Sequence, residues 1–193
     1  MHGLMNRAIQ SFLRETYGQT LWLRISADAG LPAEGFEAML HYEDALTDAV
    51  LTAAAKALGR GRATILEDLG TWLVSSATGQ PLRRLLRFGG STFPDFLHAL
   101  EDLPERGRLA ISDLSLPLID LLEEEEGRYR LISHGPPDFA CVLTGVLRAM
   151  ADDYGALVLL EPVVRRERGE EIVIQLLQAD YAEGRRFELS SGG

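Results

Sequence analysis

Apolar residues recur every three or four positions through the first hundred residues, the spacing of helices with one buried face. Leu4, Met5, Ala8, Ile9, Phe12 and Leu13 define a first helix, and Gly18 stops it. A short second helix fits Thr20 to Ala29, closed by Gly30 and Pro32. A longer stripe runs through Met39, Tyr42, Leu46, Ala49, Val50, Ala53, Ala54, Ala57 and Leu58, ending at Gly59 and Gly61. Ile65, Leu66, Leu69, Trp72 and Leu73 mark a fourth helix that ends near Gly79, and Gln80 to Phe88 adds one or two turns before Gly89-Gly90. Ser91 or Thr92 can cap a helix carrying Phe93, Phe96, Leu97, Leu100 and Leu103.

The pattern changes after residue 108. Leu116 to Leu122 and Tyr129 to Ser133 read as short strands around an acidic turn, Glu123 to Gly127, whose four glutamates face solvent. Asp138 can cap a helix that buries Phe139, Val142, Leu143, Val146 and Met150 and ends at Gly155. Ala156 to Val164 and Ile172 to Gln178 are apolar, β-branched runs joined by a charged turn, and so a hairpin. The expectation is α+β: an all-helical N-terminal part, then a four-stranded antiparallel sheet with one packed helix. Residues 1–189 read as one domain, with a helical subdomain over 1–107 and an α+β subdomain over 108–189; residues 190–193 read as a disordered tail.

Composition narrows the function classes. The chain has 193 residues and a formal charge of −10. That charge opposes sequence-independent nucleic-acid binding and an electrostatic membrane anchor. No apolar run reaches the roughly 20 residues needed to span a bilayer, and no signal peptide is evident, so the expected location is cytoplasmic. The single Cys141 excludes an intramolecular disulfide and a multi-cysteine metal site. No nucleophile elbow, phosphate-cradling loop or His/Glu metal spacing is present, so no enzyme is expected. The carboxylate pairs Asp152-Asp153 and Glu170-Glu171 read as solvent-facing.

Three segments carry a resemblance. They are Met1-His2-Gly3-Leu4-Met5-Asn6 running on to Glu15-Thr16-Tyr17-Gly18, Leu66-Glu67-Asp68-Leu69-Gly70-Thr71-Trp72-Leu73, and Phe93-Pro94-Asp95-Phe96 through Leu103. In order and spacing the chain resembles the haem nitric oxide/oxygen-binding (H-NOX) sensor family over nearly its whole length. The resemblance implies a haem pocket, with Leu4 and Met5 among its lining. It also implies a partner such as a histidine kinase or a cyclic-dinucleotide enzyme. No output domain follows residue 189, so signalling is expected to pass to a separate protein.

Two patterns of that family are altered here. One is a histidine, the iron ligand, followed after twelve residues by proline. Pro117 suits the proline, and counting back lands on Pro104. The other, Tyr-x-Ser-x-Arg, holds the haem propionates and falls on Leu131, Ser133 and Gly135. Haem iron needs a lone-pair donor, which proline lacks. Propionates favour a guanidinium, which leucine and glycine cannot supply. At about 100° per residue, position 104 lies on the buried stripe of Phe93, Leu97 and Leu100, whereas His98 is rotated about 120° from it. His98, His41 and Cys141 are the remaining candidate ligands. Met5 and Met39 read as core packing. Pro104 can kink a continuous helix, or open a new short one after a break at Asp102 or Leu103. Two readings of function follow: a haem-free H-NOX-like signalling module, or a haem-binding nitric oxide/oxygen sensor with a non-standard proximal ligand.

Overall fold

The computed structural model describes residues 2–32, 35–110 and 115–185; the tail over 190–193 lies outside them. Its elements are α1 Gly3–Tyr17, α2 Gln19–Asp28, α3 Asp44–Leu58, α4 Arg62–Ser75, α5 Gln80–Arg87, α6 Phe93–Ala99, α7 Leu103–Ala110, β1 Ile119–Glu125, β2 Arg128–Ser133, α8 Phe139–Tyr154, β3 Leu157–Leu160, β4 Val164–Arg166 and β5 Gly169–Gln178. The chain divides into two compact units between Leu69 and Gly70, inside α4.

The first unit is helical. His2 caps α1, its Nδ1 accepting the Leu4 amide at 3.1 Å. Ile9, Phe12, Leu13, Trp22, Ile25, Phe36 and Val50 form the apolar interior. Two buried amides on α1 tie the unit together. Gln10 accepts the Phe36 amide at 2.8 Å, and Asn6 accepts the Thr47 hydroxyl at 2.8 Å. Such buried polar groups are costly unless bonded, so these contacts fix which turn of α1 meets which loop.

The third helix is shorter than its apolar stripe. It begins at Asp44, and Met39 is 73% exposed rather than in the core. Backbone pairing accounts for the difference. The Gly3 amide donates to the Leu40 carbonyl at 2.7 Å, and His2 and His41 form a β-bridge. A Cβ on Gly3 would lie 2.1 Å from the Glu37 carbonyl oxygen, so the loop needs glycine at that place. These contacts hold residues 37–43 in turns that a helix would destroy.

The second unit is built on an antiparallel sheet in the order β1-β2-β5-β3, with β4 also paired to β5. The described residues hold five strands rather than four. The apolar run from Ala156 is split at Pro162, which has no amide hydrogen to give the ladder. Both halves pair with β5, Leu160 opposite Ile174 and Val164 opposite Glu171. Alternation places Tyr129 and Leu131 of β2 and Ile172 and Ile174 of β5 on one face. There they join Leu143, Leu147 and Met150 of α8 and Phe93, Phe96, Leu97 and Leu100 of the α6 segment in one apolar cluster. Each such side chain contributes about 1.5–3 kcal/mol on full burial. Helix α4 crosses α8 closely: a Cβ on Gly70 would lie 2.0 Å from the Val142 carbonyl oxygen.

The glutamate run is exposed, as expected, but only its last member lies in the turn. Glu123, Glu124 and Glu125 lie on β1. Arg130 and then Arg128 hydrogen-bond Glu124 and hold its carboxyl below the usual range.

Candidate functional site

Helix α6 starts firmly and stops early. Thr92 accepts the Asp95 amide at 3.2 Å, and Asp95 accepts the Thr92 amide at 3.0 Å, a capping box. Those bonds from Thr92 also hold the Asp95 carboxyl below its usual range. The α-helix ends at Ala99. Beyond it the bonds tighten: Leu100 to Leu97, Glu101 to His98 and Leu103 to Leu100 span three residues, not four. Helix α7 then opens with Pro104 in its first turn. Of the two geometries open to Pro104, this is the new short helix; the first turn needs no amide hydrogen from it. Pro104 is buried and offers no side-chain donor.

The second altered pattern lies on β2 and just beyond it. Leu131 is 0% exposed, opposite Leu121 on one side and Ile172 on the other. It packs into the apolar cluster. Ser133 is 1% exposed, and its Oγ has no hydrogen-bond partner. A Cβ on Gly135 would sit 2.6 Å from Cγ of Pro117, 2.8 Å from its Cβ and 3.4 Å from Ser133 Oγ. Pro117, Ser133 and Gly135 are therefore brought together, and the proline ring fills the space a side chain at 135 would need. His134 between them is pinned from both sides. Its amide donates to the Leu118 carbonyl at 3.0 Å, and its Nε2 lies 2.7 Å from Asp120 Oδ2.

Beside this corner lies a carboxylate that sequence reasoning placed in solvent. Glu170 is only 8% exposed and stands directly opposite Ser133 in the β2–β5 ladder. Its Oε1 accepts the Asp138 amide at 2.9 Å and its Oε2 accepts the Ala140 amide at 3.2 Å. The cap of α8 is thus Glu170, from a distant strand, where Asp138 was expected. Asp138 occupies the left-handed region, φ 71°. Gly169, φ 148°, lets β5 approach: a Cβ there would lie 2.4 Å from the Ser133 carbonyl oxygen.

The other expected solvent pair is corrected too. Asp153 is 1% exposed and accepts two bonds from Arg83 of α5, at 2.8 Å each. Asp152 stays exposed. Glu171 is half-buried and pairs with Arg130 at 2.8 Å. Nothing in the spacing of adjacent acids signals such distant partners.

The remaining candidates lie apart. His98 is exposed on α6, its ring edge-on to Tyr129 with centroids 6.3 Å apart. His41 is exposed in the first unit beside His2, ring centroids 5.0 Å apart. Cys141 is buried on α8. Leu4 and Met5 are half-buried on α1 of the first unit. Among the described residues no cluster of three or more His, Cys, Asp or Glu side chains could hold a metal ion. No described helix is long and apolar enough to cross a membrane.

The layout defines a class: an α+β domain whose helices lead into an antiparallel sheet backed by one long helix. The profile of the Haem-NO-binding family, HNOB, matches residues 2–162, and the chain belongs to that family. A soluble guanylate cyclase of Caenorhabditis elegans, gcy-31, is 26% identical over 134 residues, 69% of this chain and 19% of that protein. The chain thus spans about a fifth of that relative's length. Among solved structures, an Fe(II)NO H-NOX protein from S. oneidensis is similar with a TM-score of 0.76 at 14% identity, covering 92% of this chain and 100% of the other. An unliganded Fe(II) H-NOX variant from K. algicida gives 0.79 at 13% identity, over 92% and 97%. A T. tengcongensis H-NOX variant gives 0.75 at 11% identity, over 93% and 99%. At these identities the structures speak for the fold alone.

Proposed function

We propose that this chain is a haem-independent H-NOX-like sensory module that passes its state to a partner protein and does no chemistry itself. The observation that carries this reading is the closed corner at Gly135. The family's clamp would put an arginine there, and the Pro117 ring lies 2.6 Å from where even its Cβ would be. Two further positions support it. Leu131 is committed to the apolar core, and Pro104 presents no lone pair where the iron ligand would stand. Haem in the pose implied by the resemblance would meet neither its axial donor nor its charge partner, so the residues present do not fit it. The partner class follows from the resemblance and from the relative: a histidine kinase, a cyclic-dinucleotide enzyme or a guanylate cyclase.

Absorbance tests the reading. Protein purified from haem-supplemented cells is expected to be colourless and to take up no added hemin. A stoichiometric Soret band that moves on adding nitric oxide would overturn it in favour of a gas sensor with a non-standard ligand. His98→Ala, His41→Ala and Cys141→Ala would then identify that ligand by loss of the band.

A further inference from the structure

The antiparallel sheet has two edges, and they differ. Along β1 the edge is guarded. Glu101 accepts the Leu121 amide at 3.1 Å, Glu123 to Glu125 are exposed on the strand, and the register shifts between Glu123 and Glu125. A capped, acidic, irregular edge discourages a further strand. The opposite edge is β3, and no strand lies beyond it among the described residues. The Glu161 amide donates to the Val173 carbonyl of β5 at 2.9 Å. Strand alternation then turns the amides and carbonyls of Val158 and Leu160 away from β5, to the open side. Leu159 of β3 and Leu177 of β5 lie on the sheet face turned away from α8 and are 52% and 54% exposed.

We propose that β3 is a self-pairing edge: two copies of this chain join antiparallel through it, and the sheet continues from one copy into the next. Charge selects this occupant. The chain carries a formal charge of −10, so two copies repel over most approaches. Residues 156–160 hold no ionisable side chain, so two such edges meet without like charges opposed. The two ends of the edge are opposite in sign. Where β3 begins, the Tyr181 and Ala182 amides donate to the Gly155 carbonyl, which brings Asp180 and Glu183 to the side of Asp152, with Arg185 among them. All four are exposed. Past the other end, β4 and its turn carry Arg165, Arg166 and Arg168 against Glu167, again exposed. A two-fold axis through the edge sets the acidic end of each copy against the basic end of the other. A parallel arrangement would set like against like. The pair is isologous and closes at two copies, so no fibre follows.

Sedimentation velocity of the whole chain tests the proposal. A reversible monomer–dimer equilibrium is expected between low micromolar and near-millimolar concentration, because a four-residue strand gives a small interface. Leu159→Lys sets a cation of each copy on the apolar strip of the other and should weaken the dimer at least about tenfold. Leu122→Lys, on β1 at the guarded edge, should leave it unchanged. Arg165→Glu and Asp180→Arg should each weaken it, and the double variant should recover part of the loss. A chain monomeric throughout, or a dimer lost through Leu122→Lys rather than Leu159→Lys, would overturn the proposal. Absence of recovery in the double variant would overturn the antiparallel pairing. If Leu159→Lys does not fold, amide hydrogen exchange of wild type decides. The Val158 and Leu160 amides should exchange about tenfold more slowly in concentrated than in dilute solution, and equal rates would overturn the proposal. Neither readout involves haem, so this pairing goes beyond the haem-independent reading and stands or falls apart from it.

Discussion

The two ends of α8 are both fastened by buried carboxylates, yet by opposite electrostatics. At the first turn Glu170 meets unsatisfied amides and the positive end of the helix dipole. The helix supplies the compensation, and no arginine is required. At the last turn Asp153 sits near the negative end, where a carboxylate is disfavoured. There Arg83 must reach across from α5 and bind both oxygens. The same turn also closes its own carbonyls. Gly155, φ 73°, allows Ala156 to donate to Ala151 and Gly155 to donate to Asp152, a Schellman motif. The Asp153 carbonyl takes the Arg185 amide at 2.9 Å. A buried acid is therefore tolerable at either end, but only the C-terminal one depends on a second side chain.

That contrast predicts unequal losses. Asp153→Ala strands a largely buried guanidinium and is expected to cost about 3–5 kcal/mol in a urea melt. A loss under about 1 kcal/mol would show that the pair is screened as surface pairs are. Glu170→Ala leaves two neutral amides and should cost less, about 2 kcal/mol, in the same measurement; equal losses would erase the contrast. Gly135→Ala, near the first end, drives a methyl into the Pro117 ring and should cost about 1–2 kcal/mol. No change in its Tm would show that the corner yields, and would weaken the case against an arginine there. Tyr154→Phe, at the second end, removes the hydroxyl's 3.1 Å bond to the Gly90 carbonyl and should cost about 1 kcal/mol.

A pH titration sharpens the second end further. Burial, opposed by Arg87, holds the Tyr154 phenol above its ordinary 10. The unfolded chain then ionises first. The associated stability is full below that value and is lost as pH rises through the raised one. Wild type should lose stability more steeply than Tyr154→Phe above about pH 10. Parallel alkaline limbs would assign the loss elsewhere, with Tyr129, also raised by burial, the next candidate.

Local signals read well from sequence because local physics sets them. Gly18, Gly59 and Gly155 end helices where expected. Thr92 caps α6, and the α+β class follows from the change of period after residue 108. The misreadings at Met39, Glu170 and Asp153 are long-range. Met39 continues a helical stripe, but backbone pairing with residues 2 and 3 prevents the helix. Glu170 and Asp153 look like ordinary surface acids until the sheet and α5 bring their partners. Residue type alone says that Pro104, Leu131 and Gly135 carry no polar side chain. It does not say what fills the space: the fit of Pro117 against Gly135 depends on where two separate strand ends meet.

The break between α6 and α7 has a mechanical meaning. A continuous α-helix is stiff in torsion because every amide is locked to the carbonyl four residues back. Across residues 100–103 those locks span three residues, and Pro104 contributes none. The four-residue ladder of α6 is therefore interrupted before α7 begins. The two helices are joined by a turn of three-residue bonds, which lets each take its own axis.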